Sequence, residues 1–117
     1  LYENDGDFNF TDITVSVGLP VGDTPTFSAS FGDINNDGFL DLYISTHAGE
    51  DIPGQLYLND GDNTFTDVTD DAGIFDTGSP TFAVVFLDYN NKNQAQGFVN
   101  DYNECLLKSR ISNNILI

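Results

Sequence analysis

Over Thr26–Gly32 the apolar residues Phe27, Ala29 and Phe31 alternate with Ser28 and Ser30. Over residues 39–46, Leu40, Leu42 and Ile44 alternate with Asp41, Tyr43 and Ser45. Alternation with period two predicts half-buried strands. Gln55–Asn59 reads as a short strand and residues 63–68 as its returning partner, with the Asp-Gly hairpin signal in Asn59-Asp60-Gly61-Asp62 between them. Four consecutive strands joined by short turns predict an antiparallel four-stranded meander.

The pattern recurs. Residues 1–20 and 56–75 share eleven of twenty positions at an offset of 55. Residues 21–37 and 76–92 share seven of seventeen in the same register, among them Phe27/Phe82, Phe31/Phe86 and Asp33/Asp88. A period of this length means stacked supersecondary units, and four strands per unit favours a β-propeller over a sandwich or barrel. The expected fold is therefore an all-β fragment of a β-propeller with antiparallel four-stranded blades. Residues 1–25 form the outer hairpin of one blade and a connection, and residues 26–75 form a complete blade. Residues 76–92 open a further, degenerate blade, and 93–117 form a non-repeat tail. In that tail residues 104–111 suggest a weak helix, and the outer strands due after residue 92 are expected to be missing.

Charge sharpens the boundary. The 117 residues carry nineteen Asp and Glu against three Lys and Arg, a formal net charge of −16. Residues 1–91 contain no Lys or Arg; Lys92, Lys108 and Arg110 all lie in the last 26 residues. Such a surface repels phosphates, which excludes nucleic acid as a partner, and no apolar run approaches the roughly 20 residues of a membrane helix, so no membrane insertion is expected. Sixteen of the acids are Asp, and with thirteen Asn and eleven Gly they mark many tight turns. The abundance of Phe, Tyr, Val and Ile argues against disorder. A lone cysteine, Cys105, allows no internal disulfide. The chain begins at Leu1 with no Met and no leader pattern, which reads as an internal piece of a longer protein.

Chemistry concentrates in residues 33–41, Asp33-Ile34-Asn35-Asn36-Asp37-Gly38-Phe39-Leu40-Asp41, with side-chain oxygens at positions 1, 3, 5 and 9 and Gly at 6. Calcium takes six to eight oxygen ligands, and this spacing supplies Asp33, Asn35 and Asp37, the carbonyl of Phe39 and a closing Asp41. Magnesium wants stricter octahedral geometry, and zinc would want His or Cys. The competing reading is a hairpin closed by Asx turns alone. An EF-hand loop is rejected because its twelfth position is Ile44 and its flanks alternate as strands rather than helices.

D-x-N-x-D-G-x-x-D-L at 33–42, followed by Q-L-Y-L-N-D-G-D-N-T-F-T-D-V-T at 55–69 and A-G-I at 72–74, resembles the FG-GAP/VCBS repeat family. These are the integrin-α-like propeller repeats, including those of ASPIC/UnbV-type secreted proteins. The resemblance covers residues 1–92. It implies a propeller with calcium in the loop between the first and second strands of each blade. It also implies a secreted or cell-surface location and recognition of protein or carbohydrate ligands. Its calcium ligands fall on Asp33, Asn35, Asp37, the Phe39 carbonyl and Asp41. The second copy offers Asp88 and Asn90, but Lys92 and Gln96 stand at the remaining ligand positions, so no calcium is expected there.

Other residues carry less. His47 reads as a solvated loop histidine, Cys105 as an inert thiol, and Asp70 and Asp71 as turn residues rather than an acid–base pair. No nucleophile, phosphate-loop or zinc motif occurs. The expectation is a non-catalytic, calcium-stabilised binding module. The alternative is the scaffold of a propeller enzyme acting on polysaccharide, with its catalytic residues elsewhere.

Overall fold

The computed structural model describes residues 1–22, 25–46, 54–74, 81–87, 96–101 and 105–107. Among the described residues nine strands form three antiparallel sheets and there is no helix. The first sheet is a hairpin of β1 (Tyr2–Asn4) and β2 (Phe10–Asp12). The second is a meander of β3 (Thr26–Gly32), β4 (Asp41–Thr46), β5 (Gln55–Asn59) and β6 (Phe65–Asp67), in spatial order β3-β4-β5-β6. The third contains β7 (Thr81–Leu87), β8 (Gln96–Asp101) and β9 (Cys105–Leu107). The chain is thus an all-β stack of antiparallel blades, consistent with a propeller fragment.

The 55-residue period governs the geometry as well as the sequence. Tyr2 faces Asp12 as Tyr57 faces Asp67, and Asn4 faces Phe10 as Asn59 faces Phe65. Phe31 faces Leu42 as Phe86 faces Gly97, and the register shift between Thr26 and Ser28 recurs between Thr81 and Ala83. The turn after each hairpin repeats too. Ile13 O accepts from Val17 N at 3.1 Å, and Val68 O accepts from Ala72 N at 2.8 Å.

Two cores lie on opposite faces of the β3–β6 sheet, because cross-strand alternation turns successive residues of β4 and β5 to opposite sides. On one face Leu42 and Tyr57 pack with Val17 and Leu19 of the first unit, edged by Leu1, Ile13, Ile44 and Phe65. Phe65 N donates to Val17 O across that contact at 2.9 Å. On the other face Tyr43 and Leu56 pack with Ile34, Val68, Ala72 and the Val84 side chain of β7, edged by Leu58, Ile74 and Phe86. Sheets buried on both sides are what stacked blades require.

β3 departs from expectation. Its alternation predicts Phe27, Ala29 and Phe31 on the inner side, yet Phe27 and Phe31 are 47% and 46% exposed while Ser28, Ser30 and Gly32 are half-buried. The serine side faces β7, and small residues let two innermost strands come close. A Cβ on Gly32 would stand 2.6 Å from Phe86 Cγ. The Phe31 side turns toward the first unit, which contributes only its outer hairpin.

The expectations for the tail are corrected. β8 and β9 occupy residues expected to lack strands, and residues 105–107 form a strand where a weak helix was predicted; the rest of 104–111 lies outside the described residues. The physical reason is that β7 presents an unpaired row of N–H and C=O groups. Backbone pairing does not depend on which side chains the partner carries, whereas a helix this short is marginal alone. The register of the repeat therefore continues to Asp101, although sequence identity ends earlier. The next connection differs: Phe98 pairs with Leu107 where Tyr43 pairs with Leu56, which makes it four residues shorter.

Gly32→Ala is expected to destabilise the fold by about 1–3 kcal/mol through overpacking against Phe86, measured by urea unfolding. Gly22→Ala, where a Cβ meets nothing within 4 Å, is the control expected to leave the midpoint unchanged.

Candidate metal centre

The loop between β3 and β4 turns through Asn36 (φ 61°) and Gly38 (φ 92°), two left-handed positions that Asn tolerates and Gly occupies without strain. Side-chain oxygens close it. Asp33 Oδ1 accepts from Asp37 N at 3.1 Å and Asp33 Oδ2 from Gly38 N at 3.0 Å. Asn35 Oδ1 also accepts from Asp37 N, at 3.1 Å, while its Nδ2 donates to Asp37 Oδ2 at 2.7 Å. Asp37 Oδ1 accepts from Phe39 N at 2.8 Å. Asp33, Asn35 and Asp37 therefore share one turn, with Asp33 half-buried and the other two exposed. The Phe39 ring, 46% exposed, sits beside Gly61 of the β5–β6 turn, whose added Cβ would lie 3.0 Å from Cε2.

Asp41 stands apart. It opens β4 fully buried, and its two oxygens accept from two distant amides: Oδ2 from Ile34 N at 2.8 Å and Oδ1 from Asn59 N at 2.9 Å. One carboxylate thus ties the loop to the end of β5. Burial pushes its pKa above the ordinary value; the two amide bonds oppose that rise, and the charges of Asp37 and Asp33 add to it. Asp41 therefore feels both loop carboxylates. Asn59, which also donates Nδ2 to Leu40 O at 3.2 Å, was not singled out as a site residue. Its signal in the sequence was its place at the head of the repeated Asn-Asp-Gly-Asp, but the pairing with residue 41 spans eighteen positions and only folding creates it.

Among the described residues no three Asp, Glu, His or Cys side chains gather closely enough to hold a metal ion as they stand. The carboxylates are turned onto backbone amides, and the oxygen of Asn35 lies outside that residue set. The donor set nevertheless suits a hard cation: every candidate atom is oxygen, and residues 1–91 contain no Lys or Arg to offset the clustered charge. The second-copy positions Asp88, Asn90 and Lys92, and His47, lie outside the described residues. Asp70 and Asp71 are exposed on the turn after β6.

These features define a class: stacked antiparallel blades with an Asp-rich turn joining the first and second strands of the central one. Residues 1–44 match the family model of the FG-GAP-like repeat. The matched span runs from β1 through the residue 33–41 loop into β4. No curated protein matches the chain.

Asp41→Ala strands two amide donors, at least one of them buried, and is expected to destabilise the calcium-free chain by about 1–3 kcal/mol or more in chemical denaturation. Asp41→Asn keeps one acceptor oxygen and is expected to lose less.

Proposed function

We propose that the chain is a calcium-stabilised, non-catalytic repeat module of a secreted or cell-surface propeller that recognises protein or carbohydrate ligands. The observation that carries this reading is the residue 33–41 loop, where Asp33, Asn35 and Asp37 curl onto one turn and the buried Asp41 feels the charge of two of them. Asp33, Asn35, Asp37, the Phe39 carbonyl and Asp41 are the residues that would hold the ion. Bound calcium supplies two positive charges against the three carboxylates and rigidifies the turn between β3 and β4. Asp33 and Asp37 hold the loop backbone in its turned form through amides, and their carboxylates would turn from those amides onto the ion. Asp41 anchors the loop to β5 through Ile34 and Asn59. Extracellular calcium modules typically bind at about 10⁻⁴–10⁻³ M, which suits an exterior rich in the ion.

Millimolar calcium is expected to raise the melting temperature by several degrees in calorimetry, magnesium to raise it less, and Asp37→Ala to abolish the calcium response. An unchanged wild-type melting temperature across the millimolar range would defeat the reading.

The pH dependence has a definite sign. In the calcium-free chain the Asp41 pKa lies above the value of 3.8 that the unfolded state approximates, so the folded state takes up this proton first. Its contribution to stability therefore grows as pH falls through that window and is lost as pH rises. Calcium requires the carboxylates deprotonated and reverses the slope. The melting-temperature difference between calcium-loaded and calcium-free chain is expected to widen from about pH 4 to about pH 7. A difference that is flat in pH would exclude these carboxylates as ligands.

A further inference from the structure

We propose that Asn59 is a positioning residue for the metal centre, orienting the Phe39 carbonyl and the Asp41 carboxylate from the neighbouring hairpin and so setting a preference for calcium over magnesium. The inference rests on the calcium reading of the residue 33–41 loop, and it assigns to that site a residue eighteen positions beyond its last member.

The two halves of the loop are held differently. The first half holds itself: Asp33, Asn35 and Asp37 close on one another and on the amides of Asp37, Gly38 and Phe39. The second half is held from β5 and the turn that follows it. The Asn59 backbone N–H donates to Asp41 Oδ1 at 2.9 Å, and its side-chain Nδ2 donates to Leu40 O at 3.2 Å. Leu40 stands between the two remaining ligand positions. A bond to its carbonyl fixes the peptide plane that enters Asp41 and restrains the plane before it, which carries the Phe39 carbonyl. The Phe39 ring lies over the same turn, where a Cβ on Gly61 would stand 3.0 Å from Cε2.

Turn chemistry accounts for only part of Asn59. Its Oδ1 accepts from Gly61 N at 3.0 Å, and Asn4 Oδ1 accepts from Gly6 N at the equivalent place in the first hairpin. An aspartate serves such a turn equally well, as Asp62 does for Thr64 N and Asp5 for Asp7 N. The amide nitrogen is what a turn alone does not require. An amide, unlike a carboxylate, pairs the turn-closing acceptor with a donor for Leu40 O, and an aspartate at 59 would add a fourth carboxylate to the three of the site.

Selectivity follows from which half is loosened. Calcium takes six to eight oxygen ligands and draws on both halves of the loop, whereas magnesium keeps several waters and needs only one or two carboxylates, which the self-held first half supplies. Loss of the Asn59 side chain therefore penalises calcium more than magnesium.

The dependence of the melting temperature on calcium and on magnesium concentration tests this. Asn59→Ala keeps the backbone N–H that pairs with Asp41, so the chain should still fold. It should raise the calcium midpoint about tenfold and the magnesium midpoint less than about twofold. Asp62→Ala, which removes the bonds to Thr64 in the same turn without touching the loop, should leave both midpoints unchanged. In the wild-type chain, added calcium should slow hydrogen exchange at the Gly61 amide and leave the Thr64 amide as it was. A wild-type chain with no calcium response defeats the proposed function and this inference together. A wild-type response that Asn59→Ala leaves intact, an equal loss in Asp62→Ala, an equal loss for both metals, or Gly61 exchange insensitive to calcium defeats the inference alone.

Discussion

The structure depends on β4 and β5 being covered on both faces. Leu42 and Tyr57 point one way and Tyr43 and Leu56 the other, and each pair meets a different repeat unit. A two-sided sheet cannot be stable alone, because either face by itself would leave large apolar side chains in water. The turns that follow β2 and β6 serve this directly: they carry Val17 and Leu19 onto one face and Ala72 and Ile74 onto the other. The stacking of the units on either side of β4 and β5 follows from that demand.

A second constraint comes from charge. With no Lys or Arg before Lys92, few of the acids can be balanced by ion pairs, and the fold satisfies them with hydrogen bonds from neighbouring side chains and backbone N–H groups instead. Asp5, Asp12 and Asp62 are fully exposed, and each is held below the usual carboxylate range chiefly by a side-chain hydrogen bond, from Asn9, Thr14 and Thr64 respectively. Asp41 is the exception, since burial outweighs its two amides and raises its pKa. That contrast separates turn-closing aspartates, which are satisfied by their own neighbours, from one whose environment would be relieved by a cation.

Much of the fold was legible in the residues. The period of 55 located β3 and β7, the Asn-Asp-Gly-Asp turns located both hairpins, and alternation located β4. The loop at 33–41 was legible as an oxygen-rich turn because its donors lie within nine consecutive residues. Two features were not. The strands after residue 92 share no motif with the repeat, and pairing in a sheet is specified by the waiting edge of β7 as much as by the sequence that joins it. The inner face of β3 was assigned to its phenylalanines, since a hydrophobic pattern shows that two faces differ but not which one has a neighbour.

The sequence by itself determined the repeat, the turns and the chemistry of the oxygen donors, because each is encoded by residues close together in the chain. Tertiary structure alone decided that Asp41 binds the amides of Ile34 and Asn59, that Gly32 admits Phe86, and that Tyr57 is buried while Tyr2 is not. Those outcomes join residues of different units. Identical local sequences meet different surroundings in a stack, and burial belongs to the surroundings.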